Sequence, residues 1–222
     1  MNEHPQSIIR QLRSLMPTRP LEEHEARGVA ERQAIKLLEL LGQHEPSVNV
    51  SLIAELPRLE VKVKRSQHLT ASGTSGFAQW SRGRWLVVVN RDDAPTRRRF
   101  TLSHEFKHVL DHPFVSVIYS NLGENEDERN DMTERICDYF AGCLLMPRNW
   151  IKRAWANGVQ DQATLAAMFD VSEMAMAVRL RQIGLTEPRT RHARFRGIAR
   201  PVRSYFRKAP VTTQPAAYGL AA

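Results

Sequence analysis

Cysteine is scarce in this chain, which has only Cys137 and Cys143 in 222 residues. That scarcity excludes a disulfide framework. Both thiols fall in an apolar helical pattern and read as small buried hydrophobes rather than as a disulfide or a thiolate metal site. Long apolar runs are missing as well: no stretch approaches the roughly 18 residues of a membrane span, so no membrane partner is expected. The opening MNEHPQSIIRQLRSLMP lacks an apolar core followed by a small-residue cleavage site, so the expected compartment is the cytoplasm. Internal repeats are absent. Acidic residues are missing from one region in particular. After Pro188 there is no Asp or Glu, against Arg189, Arg191, Arg194, Arg196, Arg200, Arg203, Arg207 and Lys208. The formal net charge of +8 therefore belongs to the tail, and residues 1–187 are near neutrality. Rich in Arg, Pro and Ala, the tail over 188–222 is expected to be disordered. It reads either as a solubilising segment or as a source of weak, salt-sensitive, sequence-independent contact with nucleic-acid phosphates.

The remaining sequence has globular patterning. Residues 23–42 place Ala30, Ala34, Leu37, Leu38 and Leu41 at helical spacing and end on Gly42, which predicts an amphipathic helix packed on the body. A turn or short helix around Ser51 to Glu55 leads into Leu59, Val61 and Val63, which alternate with charged residues as in a half-buried strand. Residues 76–90 read as two paired strands joined tightly at Arg82-Gly83, the second covered on both faces. Pro95 and Pro113 bracket a helix over 97–112. The acidic stretch SNLGENEDERNDM reads as a mobile loop. A helix over 132–146 follows, with Ile136, Phe140, Cys143 and Leu144 as its apolar stripe and Pro147 as its stop. Beyond a connecting segment, two short helices flank Asp170-Val171-Ser172.

Within FTLSHEFKHVLDHP, residues 100–113, Leu102, Phe106, Val109 and Leu110 form the apolar stripe, so His104 and His108 project from another face. Residues at i and i+4 lie about 6 Å apart along the axis, close enough for two imidazoles to meet one ion. Glu105 can then take a proton from an activated water without occupying a coordination site. His112 lies about 12 Å along the axis from His104, too far to share that ion, and reads as a helix-end residue near the site.

A third ligand has to come from elsewhere. Glu134 and Asp138 share one face of the following helix, the pairing expected of a metal-ligating glutamate and an aspartate that fixes a histidine from behind. The competing readings are a solvated acidic face, or ligation by Asp127, Glu128 or Asp131. Ordering a loop to use one of those three costs entropy, so Glu134 leads.

Two blocks, RRRFTLSHEFKHVLDH and, after about twenty residues, ERICDYFAGCLLMP, resemble the ImmA/IrrE family of metallo-endopeptidases over roughly residues 25–185. The resemblance implies His104 and His108 as metal ligands, Glu105 as general base and Glu134 as third ligand, with Asp138 behind them. Lys107 stands where that family usually has glycine, and Cys137 where it usually has alanine. The fold expected is α+β, a small mixed sheet packed on a zincin-type metal-binding helix bundle. Its expected layout is an N-terminal extension at 1–22, a metallopeptidase domain at 23–150 and a helix-turn-helix-like module at 151–187. Zinc is the expected ion, with manganese as the substitute. A peptidase must also hold an extended chain, and the strand Arg84 to Asn90 is either the peptide-binding edge or a plain core strand. Tyr119, Tyr139 and the arginines near the metal helix are undiscriminated candidates for the oxyanion stabiliser.

In the terminal module, Leu165, Ala166, Val171 and Leu180 are the packing positions and Ser172 opens the second helix. That helix begins Glu173, Met174, Ala175, Met176, Ala177, a surface poorly suited to reading bases, so a protein-packing role is favoured over a DNA-reading one. The expectation for the whole is an endopeptidase that, as the resemblance implies, cleaves a helix-turn-helix repressor and so derepresses genes in stress response or mobile-element induction. The alternative is a non-catalytic metal-sensing or DNA-binding regulator.

Overall fold

The computed structural model describes residues 6–65 and 75–186, so the expectation for the basic tail falls outside the described residues. Three strands form one sheet: β1 (Leu59–Lys64), β2 (Gly76–Ser81) and β3 (Arg84–Asn90), in the order β1-β3-β2. β3 pairs parallel with β1 and antiparallel with β2. The hairpin turns on Arg82 and Gly83, both at positive φ (50° and 77°), the backbone pair a two-residue turn needs to follow strand twist. Trp80 and Trp85 are its cross-strand partners, edge to face at 5.5 Å. The Val87-Val88-Val89 run is buried on both faces, as expected of the central strand.

Central placement also overturns one expectation. Both edges of β3 are hydrogen-bonded to neighbours, so Arg84 to Asn90 is a core strand and offers no edge to a peptide. A pattern of buried apolar residues marks coverage of the faces, and the sequence carries no comparable mark for strand order.

Helices make up the rest: α1 (Gln6–Arg13), α2 (Glu23–Leu40), α3 (Pro95–Asp111), the one-turn α4 (Val115–Ile118), α5 (Glu126–Leu145), α6 (Arg148–Ala156), α7 (Gln162–Phe169) and α8 (Glu173–Gln182). A 3-10 helix at Val50–Glu55 precedes β1. One apolar cluster joins Leu12 of α1, Leu37 of α2, Val87 of β3, Phe106 of α3, Phe140 of α5, Ile151 of α6 and Leu165 of α7.

Two segments differ from expectation. Glu126 to Met132, read as loop, are the first two turns of α5. The Asn125 side chain accepts from the Glu128 backbone N–H at 2.9 Å, and Glu126, Asp127 and Glu128 sit in the first turn, where negative charge complements the helix dipole. The acids that resemble a disorder signature stabilise a helix start here. The connecting segment after Pro147 contains α6, whose Trp150, Ile151, Ala154 and Trp155 pack toward the core.

The last two helices meet as expected. Asp170 takes a left-handed conformation (φ 51°), and Ser172 caps α8 by accepting from Ala175 N–H at 3.2 Å. Leu165, Ala166, Val171 and Leu180 are all buried. Arg179 of α8 points inward, donating from Nε to the Met146 carbonyl at 3.0 Å with its guanidinium over the Tyr139 ring. Arg99 of α3 donates to the Asp170 carboxylate and to the Val48 carbonyl, tying the turn to α3.

Candidate metal centre

Pro95 starts α3 in its first turn, where a missing N–H costs nothing. Ten of its residues between Thr101 and Asp111 are buried, because the helix lies between the sheet and α5. Its approach to β2 depends on Gly76. A Cβ at that position would stand 2.5 Å from Thr101 Cγ2 and 2.7 Å from the Val88 carbonyl oxygen, and 3.6 Å from Glu105 Cγ. The start of β2 is therefore held directly beside Glu105, which is itself only 2% exposed.

His104 and His108 turn toward α5, with their Nε2 atoms 3.1 Å apart. Glu134 of α5 places Oε2 3.2 Å from His104 Nε2 and Oε1 3.2 Å from His108 Nε2. Asp138, one turn further along, accepts from His104 Nδ1 at 2.7 Å. With Nδ1 engaged by Asp138, Nε2 is the His104 nitrogen that faces His108 and Glu134. Donors bound at about 2.1 Å in a tetrahedron stand about 3.4 Å apart. The two imidazole nitrogens, and each of them with its own Glu134 oxygen, stand within a few tenths of an ångström of that spacing, and two imidazoles with a carboxylate are a fitting donor set for a divalent ion.

Other acids considered from the sequence lie elsewhere. Asp127, Glu128 and Asp131 are exposed on the outer turns of α5. His112 caps the end of α3 with its ring edge-on to Trp85 at 4.9 Å, and burial, then the nearby Arg13 charge, lower its pKa. The Tyr119 and Tyr139 hydroxyls are committed to Asp111 and Glu31 respectively.

Lys107 does not disturb the centre. It is 0% exposed and runs away from the histidines, its Nζ donating to Asp111 Oδ1 at 2.6 Å and to Gln33 Oε1 at 2.8 Å. Gln33 passes the network on to the Leu12 carbonyl at 3.0 Å, and Tyr119 donates to the other Asp111 oxygen. Helices α1, α2 and α3 and the residue after α4 are joined by this buried chain. Burial and the adjacent Asp111 charge hold the Tyr119 hydroxyl well above its usual pKa.

The residue that sequence reasoning undervalued is Cys137. It is buried on α5, as expected of a small hydrophobe, and neither cysteine is in a disulfide. Its Sγ nevertheless groups with a ring nitrogen of His104 and one of His108, all three within 4.8 Å of one another. The available signal was its place three residues after Glu134, on the side of α5 that faces α3.

Residues 58–181 match the Peptidase_M78 family, described as the IrrE N-terminal-like domain. Among solved structures, a Mycobacterium tuberculosis transcriptional regulator is similar in fold, with a TM-score of 0.55 and 18% sequence identity over 78% of this chain and 51% of that one. The chain thus spans about half the length of that structure, and at such identity the likeness concerns the fold alone. No curated protein matches the sequence. Among the described residues, no helix is long and apolar enough to cross a membrane.

Proposed function

The chain belongs to the Peptidase_M78 family of IrrE N-terminal-like domains, a metallopeptidase family, and on that premise we propose that it is a zinc-dependent endopeptidase that cleaves a helix-turn-helix transcriptional repressor. The observation carrying this reading is the convergence of His104, His108 and Glu134: the two Nε2 atoms are 3.1 Å apart, and each has one Glu134 oxygen at 3.2 Å. These three residues would hold the ion, manganese being the substitute for zinc. Bound there, the ion supplies a Lewis acid that polarises the scissile carbonyl and makes water acidic enough to deprotonate near neutral pH.

The chain's own residues do the rest. Asp138 keeps the His104 proton on Nδ1 and so keeps Nε2 available as a donor. The Glu105 carboxylate takes the proton of the attacking water and returns it to the leaving amine. Its burial excludes bulk water from that transfer. β2 replaces β3 as the strand that holds the substrate. It lies at the sheet edge, and its first residue adjoins Glu105, so an extended peptide paired along it would pass the reacting centre. The opening of α8 offers Glu173 and a 71% exposed Met174, which favours contact with protein over base reading.

The test is to incubate the protein and its Glu105→Gln variant with zinc and with a helix-turn-helix repressor encoded beside it. Wild type should cut the repressor and the variant should not, both carrying about one ion per chain. Cleavage by the variant removes Glu105 from its role. A protein that carries no metal, cuts nothing and retards DNA irrespective of Glu105 is the regulator of the alternative reading.

A further inference from the structure

Cys137 follows Glu134 by three residues on α5 and is 0% exposed. Around the two imidazoles of α3, α5 therefore sets two kinds of donor: the Glu134 carboxylate, with one oxygen 3.2 Å from each ring, and the Cys137 thiol, grouped with the same two rings. Zinc takes four ligands, and a site that fills all four from the protein is closed, whereas a catalytic site leaves one position for water or substrate. In a tetrahedron with nitrogen at about 2.1 Å and sulfur at about 2.3 Å, the nitrogen–sulfur edge is about 3.6 Å. The Cys137 thiol, within 4.8 Å of a ring nitrogen of each imidazole, has to close on those nitrogens by at most about 1.2 Å. Rotation about the single χ1 of cysteine moves sulfur by that much.

We propose that Cys137 is a fourth protein donor of this centre, so that its thiolate closes the coordination sphere at rest and the site opens for hydrolysis only when the sulfur withdraws. The inference rests on the reading that His104, His108 and Glu134 hold a divalent ion. On binding, the thiol gives its proton to solvent and the sulfur lone pair takes the position that water would otherwise hold. Withdrawal reverses both changes, and no oxidant or reductant is needed. A soft thiolate added to two imidazoles and a carboxylate also shifts metal preference toward zinc, cobalt and cadmium and away from manganese. Burial serves the same end, since a thiol enclosed between α3 and α5 is held against the donor group.

Cobalt, which reports its ligands in its absorption spectrum, tests this on the full chain. Wild type should take up cobalt with a near-ultraviolet sulfur-to-metal charge-transfer band, and Cys137→Ala should take up cobalt without that band. The cadmium-to-manganese affinity ratio should fall by about tenfold or more in the variant. Cys137→Ser, which keeps the side-chain size, should behave like the alanine variant. A band that persists in Cys137→Ser would come from another sulfur and would overturn the assignment. Cobalt bound equally by wild type and Cys137→Ala, with the same spectrum and metal preference, overturns the Cys137 inference but leaves the three-donor centre intact. Failure of both proteins to bind cobalt overturns the centre itself, and this inference with it.

Discussion

Lys107 and Asp111 form an ion pair wholly inside the protein, on α3 but facing away from His104 and His108. Removing one partner of such a pair leaves an uncompensated buried charge, so Lys107→Met should lower unfolding free energy by about 3–5 kcal/mol in urea titrations. Adding Asp111→Asn to Lys107→Met should recover part of that loss, because the stranded charge is then gone. A second residue-level expectation concerns pH. Burial pushes the Cys143 thiol up from 9.0 to about 11, and likewise pushes the Tyr139 hydroxyl from 10.0 to about 12. Groups whose pKa is raised on folding hold their protons more tightly in the native state. Their contribution is complete below the unfolded values and is lost as pH rises through the folded ones. Stability should therefore decline from about pH 9 upward, and Cys143→Ala should flatten the part between 9 and 11, on the order of 3 kcal/mol, in unfolding midpoints taken across that range.

Among the elements, β2 and α3 are set at a distance that only glycine allows. Gly76→Ala would bring a methyl group against the Val88 carbonyl, which is backbone and cannot turn aside. The expected cost is about 1–3 kcal/mol in thermal or urea unfolding, and the proposed hydrolysis should fall as β2 moves off Glu105. Asn125 caps the start of α5, and Asn125→Ala should cost about 1 kcal/mol. How legible such elements are depends on what specifies them. α2, α3 and the hairpin carry periodicity, proline or a two-residue turn, all of them local signals. The first turns of α5 are ambiguous in sequence because Glu126, Asp127 and Glu128 are exposed and acidic, which describes a helix N-terminus as well as a loop. α6 was passed over because its apolar residues form a short cluster directly behind Pro147.

At the scale of the whole molecule, an ion bound to the native state alone should stabilise it by mass action. Zinc at 100 times its dissociation constant is expected to add about 2.7 kcal/mol to the unfolding free energy, and His104→Ala should abolish the gain in thermal unfolding scans. The α7–α8 pair is held on the same body, since Arg179 of α8 donates to the Met146 carbonyl and Arg99 ties Asp170 to α3.

The sequence by itself determined that His104, Glu105 and His108 occupy one helix with both imidazoles on one side, and that Glu134 and Asp138 occupy one face of another. Those facts follow from helical periodicity, which is local. Only the tertiary structure decided that the two faces meet, with Glu134 3.2 Å from both imidazoles and Asp138 2.7 Å from His104, that β3 is enclosed while β2 is the strand beside Glu105, and that Lys107 turns inward and Cys137 joins the histidines. Each of these depends on contacts between residues far apart in the chain, set by how the apolar stripes of α2, α3 and α5 and the sheet close on one another, and no local pattern encodes the distance at which they do so.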